Sequence, residues 1–329
     1  MRAETVLVTG GAGYIGAHTC LLLACRGYRP VTLDSLVTGR RDFVRYGPLI
    51  ETDLGDAGAL VDIINETRPI AIVHLAASTR VADSTVQPAA YWQNNLGRTL
   101  TLMTAAIETG CRHVVFASTS AVYGLQDTPI LSETMPPRPT NAYAASKLAG
   151  EMLLENLAAA HGMGCMALRY FNVAGADPDG AIGDLGSPGT ALIPTILAAA
   201  SGTGPPLQIN GDDYDTADGT CIRDYIHVMD VAAANVRAME WTRKQKGFAV
   251  LNAGSGTGYS IREILAACEA HIGRKIPASL ADRRAGDIAR TTADCRKARD
   301  FIALTCTQSD LQSILRDAWR WHQNRKARI

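Results

Sequence analysis

The chain has 329 residues, 47% of them hydrophobic, with 32 basic and 32 acidic residues. This length exceeds what one hydrophobic core usually supports and predicts two lobes, or one large domain with a cap. The formal net charge of zero excludes nucleic-acid binding through a general positive field. No apolar run reaches the about 18 residues of a membrane helix, and the N-terminus runs directly into a strand-like segment, so we expect a cytoplasmic protein without membrane contact.

The cysteines show no spacing typical of a metal site or a disulfide framework. None forms a Cys-x-x-Cys pair or clusters with histidine. We therefore expect neither a metal nor disulfides, and we predict reduced, mostly buried thiols. The eight cysteines are at positions 20, 25, 111, 165, 221, 268, 295 and 306.

The N-terminal segment is typical of a strand, a tight turn and a helix start. A β-branched apolar run at residues 5–10 (TVLVTG) leads into GGAGYIG at residues 10–16. Gly10, Gly13 and Gly16 suit a turn in which the backbone approaches a pyrophosphate and the helix N-terminus offers free N–H groups to that anion. The helix itself is predicted over residues 18–26.

An acidic residue follows the glycine-rich turn at the distance expected of a dinucleotide-binding unit. The next strand, residues 30–34, ends at Asp34, about 20 residues beyond the turn. Its carboxylate can accept from both ribose hydroxyls and repels a 2'-phosphate, which predicts NAD over NADP. Arg40 and Arg41 lie nearby in the sequence and leave NADP open.

Apolar strands alternate with helices along the chain. This alternation predicts an α/β fold with a doubly wound parallel sheet covered by helices on both faces. Asp53 lies at the carboxyl end of one strand, where such sheets bind ligands, or it caps the next helix. The predicted strands are residues 49–53, 70–77, 113–118 and 164–171, and the predicted helices are 57–66, 91–109, 143–160, 261–272 and 309–324.

Tyr143 and Lys147, in the motif YAASK, are the main candidates for chemistry. Residues four apart share one face of a helix. A cationic neighbour lowers a tyrosine pKa from about 10, so Tyr143 would take a proton from a sugar or alcohol hydroxyl while a hydride leaves for a nicotinamide. Thr119, after strand 113–118, would hydrogen-bond the same hydroxyl. Taken alone, the pair also fits an amphipathic surface helix, and the hydroxyl also fits a cap.

The composition changes after Asn172, where glycine, aspartate and proline become dense through residue 189. We predict that the chain leaves the sheet here for a second lobe and returns with the segment 221–230. The NAD-binding (Rossmann) domain would then comprise residues 1–172 and about 222–252. The smaller, C-terminal substrate-binding lobe would comprise about 173–221 and 253–329.

Five motifs together carry a family resemblance over nearly the whole chain. They are TGGAGYIG (9–16), YAASK (143–147), LRYFN (168–172), DGTCIRDYIHV (218–228) and GSGTGYS (254–260). With them the sequence resembles the extended short-chain dehydrogenase/reductases, and most closely the UDP-glucose 4-epimerases among them. The resemblance implies a homodimeric isomerase that inverts C4 of a UDP-hexose, UDP-glucose or UDP-galactose, through a transient 4-keto sugar with tightly bound NAD.

The resemblance also implies residue roles. Thr119, Tyr143 and Lys147 form the catalytic set. The residues implied on NAD are Gly10, Gly13, Tyr14, Ile15, Gly16, Asp34, Asp53, Leu54, Leu75, Ala76, Ala77, Thr79, Asn95, Tyr143, Lys147 and Phe171. The residues implied on the UDP-sugar are Thr119, Tyr143, Asn172, Leu192, Gln208, Ile209, Asn210, Arg223, Arg284, Asp287 and Thr291. The two arginines suit a diphosphate, because guanidinium binds phosphate oxygens bidentately.

Several positions depart from family patterns. Thr79 replaces a cofactor-contacting lysine of many relatives, Ala191 an asparagine on the sugar nucleotide, and Thr291 a bulky tyrosine beside the sugar. The preferred sugar therefore stays open among UDP-hexoses, UDP-N-acetylhexosamines and UDP-pentoses. A non-catalytic NAD-binding regulator with the same fold is the alternative function.

Ser120 and Ala121 follow Thr119, where related 4,6-dehydratases place aspartate and glutamate. Neither side chain can act as a carboxylate acid or base, which predicts epimerisation and not dehydration. His227, a lone histidine in an apolar segment, is assigned no chemistry.

Overall fold

The computed structural model describes residues 3–186, 191–284 and 286–326. Strands and helices alternate in the first half, and shorter elements follow. The strands are β1 (Thr5–Thr9), β2 (Arg29–Asp34), β3 (Leu49–Glu51), β4 (Ala71–His74), β5 (His113–Thr119), β6 (Ile130–Leu131), β7 (Gly164–Tyr170), β8 (Asn172–Ala174), β9 (Leu207–Asn210), β10 (Ile222–His227), β11 (Gly247–Ala253), β12 (Gly258–Ser260), β13 (Ala278–Ala281) and β14 (Arg290–Ala293). The helices are α1 (Tyr14–Cys25), α2 (Ala57–Thr67), α3 (Val81–Val86), α4 (Pro88–Tyr91), α5 (Arg98–Glu108), α6 (Ala142–His161), α7 (Leu192–Ala200), α8 (Val228–Thr242), α9 (Ile261–Ile272), α10 (Arg296–Ile302) and α11 (Leu311–Lys326).

Seven parallel strands form a large sheet in the order β11-β7-β5-β4-β1-β2-β3. The strand order runs outward in both directions from β1, so the predicted doubly wound α/β fold is confirmed. The switch point lies between β1 and β4. Sheets of this kind bind ligands at the carboxyl ends of the strands beside the switch point.

Helices cover both faces of this sheet. Along β1, Val6 and Val8 pack into one buried cluster and Leu7 packs into another. The first cluster includes side chains of α1 and α8, and the second includes side chains of α2, α5 and α6. Successive side chains of a strand point to opposite faces, so a strand between two helical layers is apolar throughout.

Helix boundaries differ most from the prediction in two places. α1 begins at Tyr14, four residues before its predicted start, because the extended backbone of Gly13 leads directly into the helix. The helix predicted over residues 91–109 is divided into α4, a π-helical segment (Trp92–Gly97) and α5. π-helical segments are rare in proteins, and those that occur are often found at functional sites. This one contains the buried Asn95.

The segment 221–230 does not rejoin the large sheet, contrary to the prediction. β10 pairs with β8, β12 and β14 and forms part of a second sheet. The chain returns to the large sheet with α8, which packs against α1, and with β11, which pairs along the whole of β7. The prediction failed because an apolar strand pattern does not specify which sheet the strand joins.

A separate core lies among the later helices. α7, α9 and α11 contribute Ile193, Ile264 and Ile314 to one buried cluster, which Ile209 of β9 joins. A second core agrees with an organisation in two lobes. The division at Asn172 stays a prediction.

All eight cysteines are free thiols, and five of them are buried. Within residues 3–186, 191–284 and 286–326, no group of three or more histidine, cysteine or acidic side chains is arranged to hold a metal ion. Across the same ranges, no helix combines the length and the apolar character needed to cross a membrane.

Candidate active site

The candidate site lies at the carboxyl edge of the large sheet, where β1, β4, β5 and β7 end. The strand register places Thr9 beside His74 and Thr119 beside Tyr170. The segments that follow these four strand ends therefore meet at one edge, on both sides of the switch point.

Glycines at positions 10 and 16 are required by the tightness of the first turn. A Cβ on Gly10, whose φ is +69°, would lie 2.7 Å from the backbone nitrogen of Ala76, and one on Gly16 would lie 2.1 Å from the Gly10 carbonyl. α1 begins directly after Gly13, and no side chain caps its N-terminus. Its first N–H groups are left for an anion such as a dinucleotide pyrophosphate.

Tyr14 links this turn to the segment that follows β8. Its hydroxyl donates to the Gly175 carbonyl at 2.7 Å, and its ring lies edge-on to His18 with 5.2 Å between ring centroids. Ile15 packs against the core of the sheet. The side chains of Tyr14 and Ile15 thus contact other parts of the protein. It is the backbone N–H group of each residue that can bind an anion.

Asp34 ends β2 beside the glycine-rich turn. Its carboxylate accepts from the backbone N–H groups of Ala12 at 3.0 Å and Leu36 at 2.9 Å. A Cβ on Gly39 would lie 2.7 Å from one carboxylate oxygen, so the backbone passes close to the acid. These contacts fix the carboxylate where a ribose is expected to bind.

The two arginines that left NADP open are engaged with other acids. Arg40 pairs with Asp42 at 2.9 Å, and Arg41 pairs with Glu51. Both pairs are exposed. The charge next to the ribose position is therefore that of Asp34, which favours a ribose without a 2'-phosphate.

Asp53 follows β3 and is held by an arginine. Arg98 donates from Nε and Nη2 to the two carboxylate oxygens, both at 2.7 Å, and these bonds lower the pKa of Asp53. The alternative in which Asp53 caps α2 is wrong, because Asp56 caps this helix and accepts from the Ala59 N–H at 3.0 Å. Leu54 is buried in the core.

The strip of residues 75–79 leaves β4 and passes the glycine-rich turn. The Leu75 N–H donates to the Thr9 carbonyl at 3.1 Å, and the Asn95 amide bonds to the backbone of Ser78 at the other end. Asn95 is 1% exposed, so its polar side chain is directed to protein groups. Leu75, Ala76 and Ala77 are half-buried, Thr79 is exposed, and Phe171 is buried near Val122 and Tyr123.

Tyr143 and Lys147 lie one turn apart on α6, on the side that faces the end of β5. Lys147 is 3% exposed and donates from Nζ to the Ala117 carbonyl at 2.8 Å. Its ammonium nitrogen also lies 4.8 Å from the ring centroid of Phe116. Tyr143 is half-buried and lies next to the Thr119 side chain.

Burial dominates the ionisation of this pair. It lowers the pKa of Lys147 to about 7. It also raises the pKa of Tyr143, and the contact with Thr119 acts in the opposite direction. The net shift of the Tyr143 pKa is therefore upward and not downward as expected, because desolvation outweighs the favourable contact with Thr119 and Lys147 loses part of its charge near neutral pH.

The sequence analysis missed a buried ion pair next to this site. Arg169 of β7 donates to the Glu151 carboxylate through two hydrogen bonds of 3.0 and 2.7 Å, and Ser118 also donates to that carboxylate. The two charged side chains are only 5% and 4% exposed. The signal was present, because Glu151 follows Tyr143 and Lys147 at the same four-residue spacing.

Arg223 and Arg284 are brought together with two of the predicted substrate residues. Arg223 of β10 donates to the Ile288 carbonyl at 2.6 Å and to the Asp287 carboxylate at 3.4 Å. The Asn210 amide, oriented to satisfy both partners, accepts from Arg284 Nε at 3.2 Å and Nη2 at 3.3 Å. The Asp287 N–H closes a turn onto the Arg284 carbonyl at 3.2 Å.

The remaining predicted substrate residues lie on four elements. Thr291 of β14 pairs in register with Arg223, and Asn172 of β8 is exposed and donates to the Asp224 carbonyl at 3.2 Å. Leu192 begins α7, and β9 presents an exposed Gln208 and a buried Ile209. Thr291 and Asn172 thus lie close to β10.

His227 takes part in a buried contact between β10 and α11. Its Nδ1 accepts from the Met229 N–H at 3.1 Å, and its Nε2 lies 3.4 Å from the Asp317 carboxylate. Both side chains are fully buried. This setting agrees with a structural role.

A profile of the NAD dependent epimerase/dehydratase family matches residues 6–254. The match covers the strands of the large sheet, β10 and the three proposed catalytic residues, Thr119, Tyr143 and Lys147. The chain therefore belongs to this family, as the sequence motifs implied.

Similar proteins match the chain over almost its whole length. The UDP-glucose 4-epimerase of Rhizobium leguminosarum bv. trifolii is 44% identical over 322 residues, which are 98% of this chain and 98% of that protein. The crystal structure of UDP-glucose 4-epimerase from Brucella ovis in complex with NAD gives a TM-score of 0.94 at 43% identity, covering 96% of this chain and 98% of that one. The crystal structure of UDP-glucose-4-epimerase from Stenotrophomonas maltophila with bound NAD and formylated UDP-arabinopyranose gives a TM-score of 0.96 at 35% identity. It covers 99% of this chain and 100% of that one.

Proposed function

We propose that this protein catalyses the reversible C4 epimerisation of a UDP-hexose, UDP-glucose or UDP-galactose, with tightly bound NAD. The observation that carries the proposal is that Tyr143 lies next to Thr119 and one turn from Lys147, at the sheet edge where the glycine-rich turn also lies. These are the groups needed to move a proton during reversible oxidation of an alcohol. The similarity to UDP-glucose 4-epimerases over almost the whole chain supports the same reaction.

The residues of the chain fit NAD at three points. The N-terminus of α1, which no side chain caps, suits the pyrophosphate. Asp34 suits the ribose of the adenosine half, and Lys147 suits the ribose next to the nicotinamide. When bound, NAD supplies a reversible hydride acceptor for the sugar.

Tyr143 is the proton acceptor in this proposal. Its phenolic oxygen takes the proton of the sugar 4-hydroxyl when C4 loses its hydride, and it returns the proton when C4 regains the hydride on the opposite face. Thr119 hydrogen-bonds the same sugar hydroxyl and keeps it in line with Tyr143. Proton and hydride both return to the sugar, so the net reaction inverts C4 and changes no oxidation state.

The residues after Thr119 argue against elimination from the 4-keto sugar. Ser120 and Ala121 form a short turn next to the proposed proton acceptor. Loss of the 6-hydroxyl needs a base for the C5 proton and an acid for the leaving group. Neither side chain supplies such a group near neutral pH, so return of the hydride to C4 is the step that these residues allow.

Binding of the nucleotide is assigned to the cluster beside β10. Arg223 and Arg284 suit the diphosphate, and Asp287 and Asn210 orient the two guanidinium groups. Holding the substrate by its diphosphate leaves the hexose free to present either face of C4. The binding energy is then realised away from the reacting carbon.

Turnover of UDP-galactose in deuterated water tests the proposal. We expect UDP-glucose without solvent deuterium at C4 or C5, because the hydride returns internally and C5 is never deprotonated. Tyr143→Phe should lose about 10²- to 10⁴-fold in kcat while it keeps its NAD, since the phenol supplies proton transfer. Deuterium at C5 or a 4-keto-6-deoxy product would overturn the reaction type, and absence of turnover with NAD bound would favour the regulator.

The same assay addresses the sugar preference. Thr291 is half-buried beside Arg223 and has a small side chain, which leaves room for an acetamido group at C2 of the sugar. We therefore propose turnover of UDP-N-acetylgalactosamine comparable to that of UDP-galactose. Strict rejection of the larger sugar would refute this second substrate.

We further propose that the protein is a homodimer. Trp92, Leu100 and Met152 are large apolar side chains that are 40%, 49% and 58% exposed. They lie on the π-helical segment, α5 and α6, which pack against one another. Exposed apolar side chains on neighbouring helices are typical of an interface between protein chains.

A further inference from the structure

A chain of buried hydrogen bonds crosses the large sheet next to the site. Thr9 ends β1 just before the glycine-rich turn, and its Oγ1 lies 2.7 Å from Nδ1 of His74 at the end of β4. The other ring nitrogen of His74, Nε2, lies 2.8 Å from Oγ1 of Thr99 on α5. Thr99 Oγ1 in turn donates to the Asn95 carbonyl at 2.5 Å. All four side chains are 2% exposed or less.

The donors in this chain have a single consistent order. Because Thr99 gives its proton to the Asn95 carbonyl, its oxygen must accept from His74 Nε2–H. His74 Nδ1 is then unprotonated and accepts from the Thr9 hydroxyl. This arrangement requires a neutral imidazole, and burial, together with the charge of Lys147, lowers the His74 pKa to about 3. His74 therefore keeps one tautomer throughout the working pH range.

The side chain of Asn95 continues the chain to the catalytic helix. Its Oδ1 accepts from the Ser78 N–H at 2.8 Å, and its Nδ2 donates to the Ser78 carbonyl at 3.0 Å. The same Nδ2 donates to Ser146 Oγ at 3.1 Å, and Ser146 donates to the Tyr143 carbonyl at 2.8 Å. The amide orientation is fixed, because only an oxygen can accept from the Ser78 N–H. Asn95 thus joins the strip 75–79 to the start of α6.

We propose that this chain is a positioning network that sets the distance between the glycine-rich turn and Tyr143. The network consists of Thr9, His74, Thr99, Asn95 and Ser146. A buried polar network in which every donor and acceptor is satisfied rigidifies the elements it joins. Here it joins the ends of β1 and β4, where the cofactor is proposed to bind, to the helix that carries the proton acceptor. The inference rests on the proposed function for its catalytic consequence, but the network itself is defined by these contacts.

Loss of the network should displace Tyr143 from Thr119 and shift its ionisation. The titratable groups around Tyr143 are Lys147 on its own helix, Tyr91 on α4, whose ring lies 6.5 Å away between centroids, and Tyr170 on β7. Burial raises the pKa of Tyr91 and of Tyr170, so neither competes for the proton near neutral pH. The contact with Thr119 lowers the Tyr143 pKa. A longer distance between Tyr143 and Thr119 should therefore raise the Tyr143 pKa.

Thr99→Val and Thr99→Ser form the central test. Valine keeps the shape but removes the hydroxyl, so His74 loses its acceptor and the Asn95 carbonyl loses its donor, whereas serine keeps both bonds. For Thr99→Val we expect kcat to fall about tenfold or more, as for misplacement of a catalytic group, with the KM for UDP-galactose unchanged. The rising acid limb of the kcat profile should move to higher pH. Thr99→Ser should restore the kcat and the pH profile.

Thr104→Val is the matched control on the same helix. Thr104 makes the same bond to a carbonyl four residues earlier, that of Leu100 at 2.9 Å, but is exposed. Thr104→Val should leave kcat and the pH profile unchanged. If Thr99→Val lowers only the urea midpoint of unfolding, as a purely structural threonine would, and keeps the wild-type kcat and pH profile, the inference is wrong.

A titration that needs no turnover separates this inference from the proposed function. The ultraviolet absorbance of tyrosinate in each protein, minus that of its Tyr143→Phe derivative, reports the pKa of Tyr143. We expect a higher Tyr143 pKa in Thr99→Val than in the wild type and in Thr99→Ser, even if no UDP-sugar is turned over. An identical Tyr143 pKa in all three proteins would overturn the network, whereas a wild type without epimerase activity would overturn the function alone.

Discussion

Lys147 shows what sequence spacing can and cannot predict about a single residue. The four-residue spacing correctly placed Tyr143 and Lys147 one turn apart on a helix. It did not predict the direction of their pKa shifts, because burial by Phe116 and Ala117 comes from β5, which lies far away in the sequence. Ionisation depends on desolvation, which is set by tertiary structure.

The lowered pKa of Lys147 makes the stability of the protein depend on pH. Between its folded value of about 7 and its ordinary value of 10.5, the unfolded chain holds a proton that the folded chain lacks. Folding is therefore increasingly favoured as pH rises through this window, and the cost of burying the charge is fully present below about pH 7. The full cost is about 5 kcal/mol, since one pKa unit corresponds to about 1.4 kcal/mol.

Lys147→Met measures this cost directly. We expect the variant to gain stability relative to the wild type at pH 7 and to lose most of that gain by pH 10, because methionine has no proton to release. Urea unfolding at pH 7 and at pH 10 gives the difference in the free energy of unfolding between the variant and the wild type at each pH. A difference that does not change with pH would mean that Lys147 titrates at its ordinary value.

At the scale of elements, the sequence predicted α6 to within one residue at each end. The predicted helix, residues 143–160, is observed as Ala142–His161. Local signals explain the agreement: Asn141 caps the start by accepting from the Ala144 N–H at 2.9 Å, and Gly162 ends the helix in the left-handed conformation. The π-helical segment before α5 was not predicted, since its residues have no distinct helical propensity and tertiary contacts decide its form.

Loss of one partner of the buried pair Glu151 and Arg169 should weaken the attachment of α6 to the sheet. Glu151→Leu leaves the Arg169 guanidinium buried without its partner, and the Nη1 nitrogen of Arg169 already has no hydrogen-bond partner within the described structure. We expect a loss of about 3–5 kcal/mol in the free energy of unfolding, as for other broken buried pairs. Chemical denaturation of the variant measures it.

A double variant separates the attraction within the pair from its packing. Glu151→Leu combined with Arg169→Met removes both charges and keeps similar volumes, so most of the lost stability should return. If the double variant is as unstable as the sum of the single variants, the two residues act independently and the ion pair is not what holds α6.

At the scale of the whole molecule, the fold class was predicted correctly, but the sheet that β10 joins was predicted incorrectly. The doubly wound sheet followed from local patterns of strand and helix. The place of β10 did not, because pairing with β8, β12 and β14 joins residues about 30 to 70 positions apart. The contacts of Arg223 with Asp287 and of Asn210 with Arg284 are non-local in the same way, so only family resemblance, and no spacing, indicated them.

The proposed homodimer is tested with Trp92→Glu. A charge in the centre of an apolar interface is costly to bury, so this variant should sediment as a monomer while the wild type sediments as a dimer. Phe301→Glu is the matched control, because Phe301 of α10 is 45% exposed and lies on another helix. A dimer that survives Trp92→Glu, or a monomeric wild type, would contradict the proposed interface.

The direct passage from β10 into α8 limits how the protein can move. β10 ends at His227 and α8 begins at Val228, and only Phe171 separates β7 from β8. A hinge requires a few loop or element-terminal residues that absorb the change in backbone angles, and the two crossings hold only Phe171 outside a strand or helix. We therefore expect little hinge motion at these two crossings, so that the proposed exchange of substrate for product depends mainly on local motion of loops and side chains.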